Sequence, residues 1–325
     1  MKDKDNNVLQ EYQKRIIDLC DTYTRDPNKI LELIEFKSRF YQYSLNNTML
    51  IQQQRPTASF VQSYVAWNKM ESSVLKGEKG LKIFVPVKLT FLKNPDLSKW
   101  ELLSSVKKEN PKLFEAYEQG VIESKEVLSF RIGNVFDISQ TNFPKEKYPS
   151  LYNLGYSSEQ HDTIIKGMID YANFEHGIEV RTEDLQSISL RGLSYRDKSR
   201  VDINSRLEST QYLSTLNHEI GHQLLHRNTD KPRNIVEFEA DVFSIMLDYH
   251  MDIDVTDARK EHIVSNYKSI LEDSELDNSK DIVSDLFDDV FRIYTQEIDR
   301  IDHYLEKYVS NNKCVQKQNN IEIER

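Results

Sequence analysis

Apolar residues recur at helical spacing through most of the first fifty positions. Val8, Tyr12, Ile16 and Cys20 follow one such pattern, and a second begins at Ile30. A period of three to four residues is typical of amphipathic helices. The sequence therefore predicts helices over residues 8–50, and a further short helix over residues 60–70.

A different pattern follows after residue 80. Residues 81–91 alternate and are rich in Ile, Val and Phe, which predicts a strand, and a second strand is predicted near residues 127–136. Residues 93–125 between them read as a polar insertion with one helix at 111–117. Residues 140–160 combine proline, glycine, serine and lysine, and are the best candidate for a linker.

The second half is mainly helical in pattern. Helices are predicted over residues 160–172, 210–227, 233–250 and most of 260–308, with a strand pair at 187–193 and 200–203. The expected class is α+β. We place an N-terminal α+β domain at residues 1–142, a mainly helical domain at 150–310, and a polar, disordered tail at 311–325.

Composition narrows the class of protein. The 325 residues are 38% hydrophobic and 30% charged, which suits one large or two ordinary globular domains. No apolar run approaches the roughly 18 residues of a membrane span, and the N-terminus lacks the pattern of a signal peptide. The two cysteines, Cys20 and Cys314, fit a reducing compartment. We expect a cytoplasmic protein without a membrane partner.

The net charge of -10 hides an asymmetry. Residues 37–108 hold 12 Lys and Arg against 4 Asp and Glu, a net of +8, whereas residues 261–306 hold 13 acids against 4 Lys and Arg, a net of -9. The basic first half and the acidic last third therefore suggest different partners.

Residues 218–222 read HEIGH and match the H-E-x-x-H pattern of zinc peptidases. On a helix, residues four apart share a face, so the imidazoles of His218 and His222 can converge on one ion. Glu219 lies about 100 degrees around the helix, where it can reach a water on the metal without being a ligand. The surrounding leucines predict that this helix is buried.

Zinc needs a third protein ligand. His226 lies too far along the helix, since eight residues rise about 12 Å, and is better placed at the surface or behind a ligand. In the next predicted helix, Glu237 and Asp241 are four residues apart and share a face. We assign Glu237 to the metal and Asp241 to the free N–H of a ligating histidine, with Glu239 as the alternative ligand.

This ligand set predicts one Zn²⁺ per chain, although other divalent transition metals would fit. Zinc with three protein ligands keeps a position for a water and lowers its pKa, and Glu219 would act as the general base. The predicted reaction is hydrolysis of a peptide or other amide bond in a protein or peptide substrate. The predicted strand pair could hold that substrate by edge pairing, and Tyr195 and Tyr212 are candidate oxyanion donors.

Six stretches occur along the chain in this order: YSLNNTMLIQQQRPTASFVQSYVAWNKM at 43–70, GEKGLKIFVPV at 77–87, FRIGNVFDISQT at 130–141, LRGLSYRD at 190–197, LNHEIGHQLLH at 216–226 and VEFEADVFSIML at 236–247. Together they resemble the ArdC-like antirestriction family of mobile elements and its LtrC-like members. Asp241 stands where many relatives have Glu.

The resemblance implies an N-terminal single-stranded-DNA-binding domain followed by a zincin-like metallopeptidase domain of the gluzincin type, related to the ImmA/IrrE peptidases. It also implies a setting on a plasmid, conjugative element or phage. Single strands are bound by neutralising phosphates and stacking bases on aromatic rings. The residues that we predict to contact DNA are Lys37, Arg39, Tyr43, Arg55, Trp67, Lys76, Lys79 and Lys82.

The function predicted from the sequence is thus that of an antirestriction protein that binds single-stranded DNA and is a zinc metallopeptidase. Two alternatives remain open. One is a binding protein that masks DNA and has a structural zinc site. The other is a regulatory protease whose N-terminal domain docks a protein. The sequence does not identify the substrate, the host or the oligomeric state.

Overall fold

A computed structural model describes residues 2–144, 160–187, 189–274 and 278–308 of the protein. Part of the predicted linker, residues 145–159, and the whole predicted tail lie outside the described residues. The helices are α1 (Lys2–Arg25), α2 (Lys29–Arg39), α3 (Leu45–Gln54), α4 (Tyr64–Lys69), α5 (Leu103–Glu109), α6 (Pro111–Glu118), α7 (His161–His176), α8 (Ser209–Leu225), α9 (Arg233–His250), α10 (Asp257–Asp273) and α11 (Ser279–Leu305).

The strands form two sheets, and the predicted α+β class is confirmed. One sheet has four strands in the order β1-β4-β2-β3, and the other has three in the order β5-β7-β6. None of the helices in the described ranges is long and apolar enough to cross a membrane. The strands are β1 (Val61–Ser63), β2 (Leu81–Asn94), β3 (Lys99–Leu102), β4 (Ser124–Asp137), β5 (Glu179–Glu183), β6 (Gly192–Tyr195) and β7 (Arg200–Asn204).

The predicted strands at 81–91 and 127–136 are present and longer than expected. They are β2 and β4, which pair antiparallel from Leu81 opposite Val135 to Leu92 opposite Ser124. At the base of this ribbon, Leu81 and Val135 pack with Phe36 of α2 in a small core. Residues 93–125 form its tip, with strand β3 and the two helices α5 and α6 rather than the one predicted helix.

The helix predicted over residues 60–70 is only partly correct. Val61–Ser63 form strand β1, which pairs antiparallel with β4, and the helix α4 begins only at Tyr64. The side chain of Ser63 accepts a hydrogen bond from the N–H of Ala66 and caps the helix, as serine commonly does. Apolar spacing does not show where a strand ends and a helix begins in so short a segment.

One large core joins the two halves of the chain. Its buried residues come from α1–α3 as well as from α7–α11, and include Ile16, Ile30 and Met49 together with Val290 and Tyr294. The hydroxyl of Thr295 on α11 also donates to the carbonyl of Tyr41, at 3.0 Å. The first three helices therefore need the second half of the chain to cover their apolar faces.

Lys37 on α2 lies inside this junction, which overturns its prediction as a DNA contact. Its side chain is 2% exposed, and its Nζ donates to the carbonyls of Tyr41, at 2.9 Å, and Tyr43. The ring of Phe291 lies 5.1 Å from the same nitrogen. Burial lowers the pKa of Lys37 from 10.5 to about 7, because an ammonium loses its hydration there.

This burial predicts a pH-dependent difference between the wild type and Lys37→Met. The pKa of Lys37 is about 7 in the folded protein and 10.5 ordinarily, so the unfolded chain binds more protons between those values. Wild-type stability should then rise relative to Lys37→Met as the pH increases through that range. Denaturant unfolding of both proteins at about pH 7 and about pH 9.5 measures this. The exposed Lys79→Met serves as the control, and a difference that is the same at both pH values would refute the assignment.

Candidate metal centre

The HEIGH segment lies within helix α8, as predicted. Leu213, Leu216 and Ile220 are fully buried and fix which side of the helix faces the core. His218 and His222 lie on one face, and their Nε2 atoms are 3.1 Å apart. Gly221 faces α9, where an added Cβ would lie 3.2 Å from the Phe243 ring and 3.4 Å from the carbonyl of Ala240. The two helices therefore approach closely beside the histidines.

Helix α9 brings Glu237 to the same point. Its Oε2 lies 3.7 Å from the Nε2 of His218 and 3.7 Å from the Nε2 of His222. Among the residues that the structure describes, these three form a group that could hold a metal ion, with ligand atoms within 4.8 Å of one another. Two imidazole nitrogens and one carboxylate oxygen are a donor set that zinc and similar divalent metals accept.

The charges of this group depend on one another. The imidazoles of His218 and His222, each with Nε2 at 3.7 Å from its carboxylate, hold the pKa of Glu237 well below its usual range. Burial opposes the charged form of His218, but the hydrogen bond to Asp241 and the nearby carboxylate of Glu237 outweigh it and raise the pKa of His218 to about 10. The two carboxylates thus favour the charged form of His218, whereas a metal ion would need the neutral imidazole as its ligand.

Asp241 lies behind His218. Its Oδ1 is 3.1 Å from the Nδ1 of His218, and its Oδ2 is 2.9 Å from the Nδ1 of His262 on α10. Asp241 is buried, which alone would raise its pKa, but the hydrogen bonds to both histidines keep that pKa well below the usual range. The carboxylate therefore orients the ring of His218. His262 was not identified from the sequence, because nothing local relates it to the motif.

Glu219 is buried beside the strand β6. Its pKa is raised by burial, partly offset by the nearby His218 and His222. A Cβ added at Gly192 of β6 would lie 2.9 Å from Cγ and 2.9 Å from Oε1 of Glu219, and 2.8 Å from Thr215. Only a residue without a side chain lets the strand pass this close to the carboxylate.

His226 and Glu239 form a buried pair behind His222. The Nδ1 of His226 is 3.2 Å from the Nδ1 of His222, and its Nε2 is 3.0 Å from Oε2 of Glu239. Burial lowers the pKa of His226. The structure thus excludes the surface position considered for His226, and Glu239 lies outside the group of three ligand atoms. The sequence signal for the contact between His222 and His226 was their four-residue spacing, which places both on one helix face.

The two tyrosines suggested as oxyanion donors are otherwise engaged. The hydroxyl of Tyr212 is 2.8 Å from that of Thr182, and the side chain is buried. Strand β6 turns Gly192 and Ser194 towards α8, so Tyr195 points to the opposite face of the sheet, where Arg200 lies over its ring at 4.2 Å. The buried and engaged hydroxyl of Tyr212 removes that residue as a candidate, whereas Tyr195 stays a prediction.

The predicted DNA-contacting residues fall into two groups. Trp67 is 0% exposed, and its Nε1 donates to the carbonyl of Phe136 at 2.9 Å, so its prediction as a stacking residue is wrong. Lys37, predicted as a basic contact, is also buried. The hydroxyl of Tyr43 donates to the carbonyl of Val61, and its ring packs against the small core of α2 and β2. The two aromatic residues among the predicted contacts, Tyr43 and Trp67, thus serve the core.

The remaining predicted DNA contacts are basic side chains at or near the surface. Arg39 pairs with Glu35 at 3.2 Å, and Arg55 donates to Ser139 at 2.9 Å. Lys76 and Lys79 are exposed. Lys82 is half-buried and donates to Asn134 at 2.6 Å. These five stay available to a ligand, although three of them already have a partner.

Comparisons with known proteins agree with the architecture. The model of the N-terminal domain of anti-restriction factor ArdC matches residues 6–136, and that of the IrrE N-terminal-like domain, a Peptidase_M78 family, matches residues 174–266. Together these two matches, in this order, support an ArdC-like family for the chain. The resemblance inferred from the sequence is confirmed.

Individual relatives are more distant. An uncharacterised protein of Bacillus anthracis, pXO2-81, is 27% identical over 297 residues, which are 85% of this chain and 50% of that protein. The chain thus spans about half the length of this curated relative. Two solved structures of the antirestriction protein ArdC from plasmid R388 also match, each over 82% of this chain and 85% of the ArdC chain. The metal-free structure has 14% sequence identity and a TM-score of 0.44, and the Mn(II)-bound structure has 15% identity and a TM-score of 0.42.

The approach of β6 to Glu219 predicts the effect of Gly192→Ala. The new Cβ must displace Thr215 or Glu219, and such overpacking costs about 1–3 kcal/mol. The metal ligands lie elsewhere, so metal content should stay at the wild-type level while the melting temperature falls. Adding Thr215→Ser, which removes one of the crowded methyl groups, should restore only part of the loss. A Gly192→Ala protein as stable as the wild type would show that the strand can move away.

Proposed function

We propose that this chain is a zinc-dependent peptidase, with His218, His222 and Glu237 holding the metal. The observation that carries the proposal is the convergence of two Nε2 atoms and one carboxylate oxygen within 4.8 Å. The match to a Peptidase_M78 family supports it. Glu237 keeps 32% of its side chain exposed, whereas the ligands of structural zinc sites are closed off, commonly as four-residue sets. An open three-ligand site therefore favours catalysis over the alternative of a structural metal.

The chain's own residues supply a general base and a means of orienting the ligands. When bound, zinc acts as a Lewis acid that polarises a carbonyl and makes water acidic. Glu219 is not one of the ligand group, and its buried carboxylate has a raised pKa, which suits a group that takes a proton and returns it to the leaving amine. Asp241 accepts the Nδ1–H of His218, which leaves Nε2 of that ring for the metal.

Strand β6 is suited to hold the substrate. Among the strands in the described ranges, it pairs with β7 and is the edge strand of its sheet, in the order β5-β7-β6. Gly192 of this strand is in contact distance of Glu219. An extended peptide that pairs with the free edge of β6 would therefore lie along the general base.

Two substitutions separate the chemistry from the metal. Glu219→Gln should keep the metal and the melting temperature, but hydrolysis of a labelled, unfolded protein such as casein should fall at least ~100-fold, because an amide cannot act as a base. Glu237→Ala should lose both the metal and the activity. Metal analysis, thermal denaturation and the cleavage assay on the full chain measure these effects. An unchanged rate for Glu219→Gln would rule out this mechanism, and full metal content in Glu237→Ala would rule out the ligand assignment.

We further propose that the N-terminal half binds single-stranded DNA on the face of the first sheet that carries Lys82, Asn134 and Phe136. Gln62 and Phe136 are direct cross-strand neighbours on this face, and so are Lys82 and Asn134. Tyr64 is 53% exposed and its ring lies edge-on to that of Phe136, at 6.4 Å. An exposed ring beside lysines offers stacking and phosphate neutralisation together. The match to the N-terminal domain of an anti-restriction factor supports this assignment.

The DNA proposal predicts a change in salt dependence. Reversing Lys76, Lys79 and Lys82 to Glu should weaken binding of an oligothymidylate, and should flatten the log–log salt slope by about 2 if each contacts one phosphate. Tyr64→Ala should cost roughly 1–3 kcal/mol with little change in slope, because stacking releases no counterions. Anisotropy titrations of the full chain at several salt concentrations measure both, since the first three helices share a core with the second half.

A matched control tests whether position matters. Lys107, Lys108 and Lys112 are exposed at the tip of the ribbon, and reversing them to Glu changes the net charge by the same amount. Equal losses from both triple variants would mean that only overall charge acts. If the wild type binds no single-stranded DNA at low salt, the N-terminal half is instead a protein-docking module. That result would favour the alternative of a regulatory protease.

A further inference from the structure

The two ligating histidines are supported differently. Nδ1 of His218 meets a carboxylate, that of Asp241, whereas Nδ1 of His222 meets another imidazole, that of His226, at 3.2 Å. If Nε2 of His222 serves the metal, its proton must sit on Nδ1, because a neutral imidazole carries one proton. His226 must then accept at Nδ1 and keep its own proton on Nε2.

That remaining proton has an acceptor. Nε2 of His226 lies 3.0 Å from Oε2 of Glu239, and the other oxygen of Glu239 accepts from Nζ of Lys231 at 2.7 Å. His226 and Glu239 are each 1% exposed, so water does not replace these bonds. The same nitrogen of Lys231 lies 3.3 Å from Asp289 of α11. The N–H of His222 thus meets Nδ1 of His226 as its acceptor, and the N–H of His226 meets the carboxylate of Glu239.

We propose that His226 and Glu239 are positioning residues for the metal, which fix the tautomer and the ring orientation of His222. The inference rests on the proposed metal site. It assigns a role to two residues that are not themselves ligands. The affinity for metal then depends on the carboxylate of Glu239, which contacts His226 and not a ligand. Partners of this kind behind a ligating histidine typically change metal affinity 10–100-fold when removed.

The alternative is that the pair only stabilises the fold. The chain offers a matched control in Glu297, a buried glutamate on α11 whose Oε2 lies 3.0 Å from Nε2 of His176. Glu297→Gln removes a buried carboxylate–imidazole pair of the same kind that does not touch the metal ligands. A purely structural role predicts equal behaviour of Glu239 and Glu297 variants towards metal, and a positioning role does not.

The test measures Zn²⁺ affinity of the full chain by competition with a chromophoric chelator, and the visible absorption spectrum of the Co²⁺-loaded protein. His226→Leu should bind Zn²⁺ about 10–100-fold more weakly, with a smaller loss in His226→Gln, whose amide oxygen can still accept from His222. Glu239→Gln should also weaken binding and shift the Co²⁺ bands. Glu297→Gln should match the wild type in both measurements, even if it melts at a lower temperature.

The outcomes are separable. Folded His226→Leu and Glu239→Gln proteins with wild-type affinity and spectrum overturn the positioning role, and equal losses in Glu297→Gln do the same. Should His226→Leu not fold, the isosteric Glu239→Gln decides the question. If Glu239→Gln abolishes Zn²⁺ binding as fully as His222→Ala does, Glu239 is itself a ligand, and the proposal is also overturned. Wild-type affinity in His222→Ala would instead show that the proposed metal site is wrong.

Discussion

The close packing of α8 on α9 is the constraint on which the proposed site depends. Two histidines one helical turn apart can face one ion, but no other residue of the same helix reaches it with them. The third donor has to come from a second helix at short range. Gly221 permits that range, since any side chain there would press on Phe243 and Ala240. Glu237 can then lie 3.7 Å from both Nε2 atoms.

Around this contact, the buried carboxylates of Asp241 and Glu239 each have two partners. Asp241 serves His218 and His262, and Glu239 serves His226 and Lys231. A buried carboxylate without such partners would be costly, because it loses its hydration. The acidic residues of α9 therefore alternate, with Glu237 and Asp241 on the metal side and Glu239 on the side of His226. The apolar residues of that helix fill the core.

The two halves of the chain are mechanically continuous in this structure. Helix α2 packs through Phe36 against the small core of the first sheet, and through Ile30, Leu33 and Ile34 against the large core that includes α9. The face of the first sheet that is proposed to bind DNA and the proposed metal site thus lie on different parts of one packed body. Lys37 stands between them as a buried cation whose partners are backbone carbonyls and an aromatic ring rather than an acid.

The sequence by itself determined the features that depend on local spacing. The period of the helix places His218 with His222 and Glu237 with Asp241, and alternation marks β2 and β4, so these could be read without a structure. Only the tertiary structure decided which side chains are covered. It buried Lys37 and Trp67, joined His226 to Glu239 across two helices, and brought His262 to Asp241. Burial and such pairings are set by residues distant in the chain, and a periodic pattern carries no information about which distant residue will lie opposite.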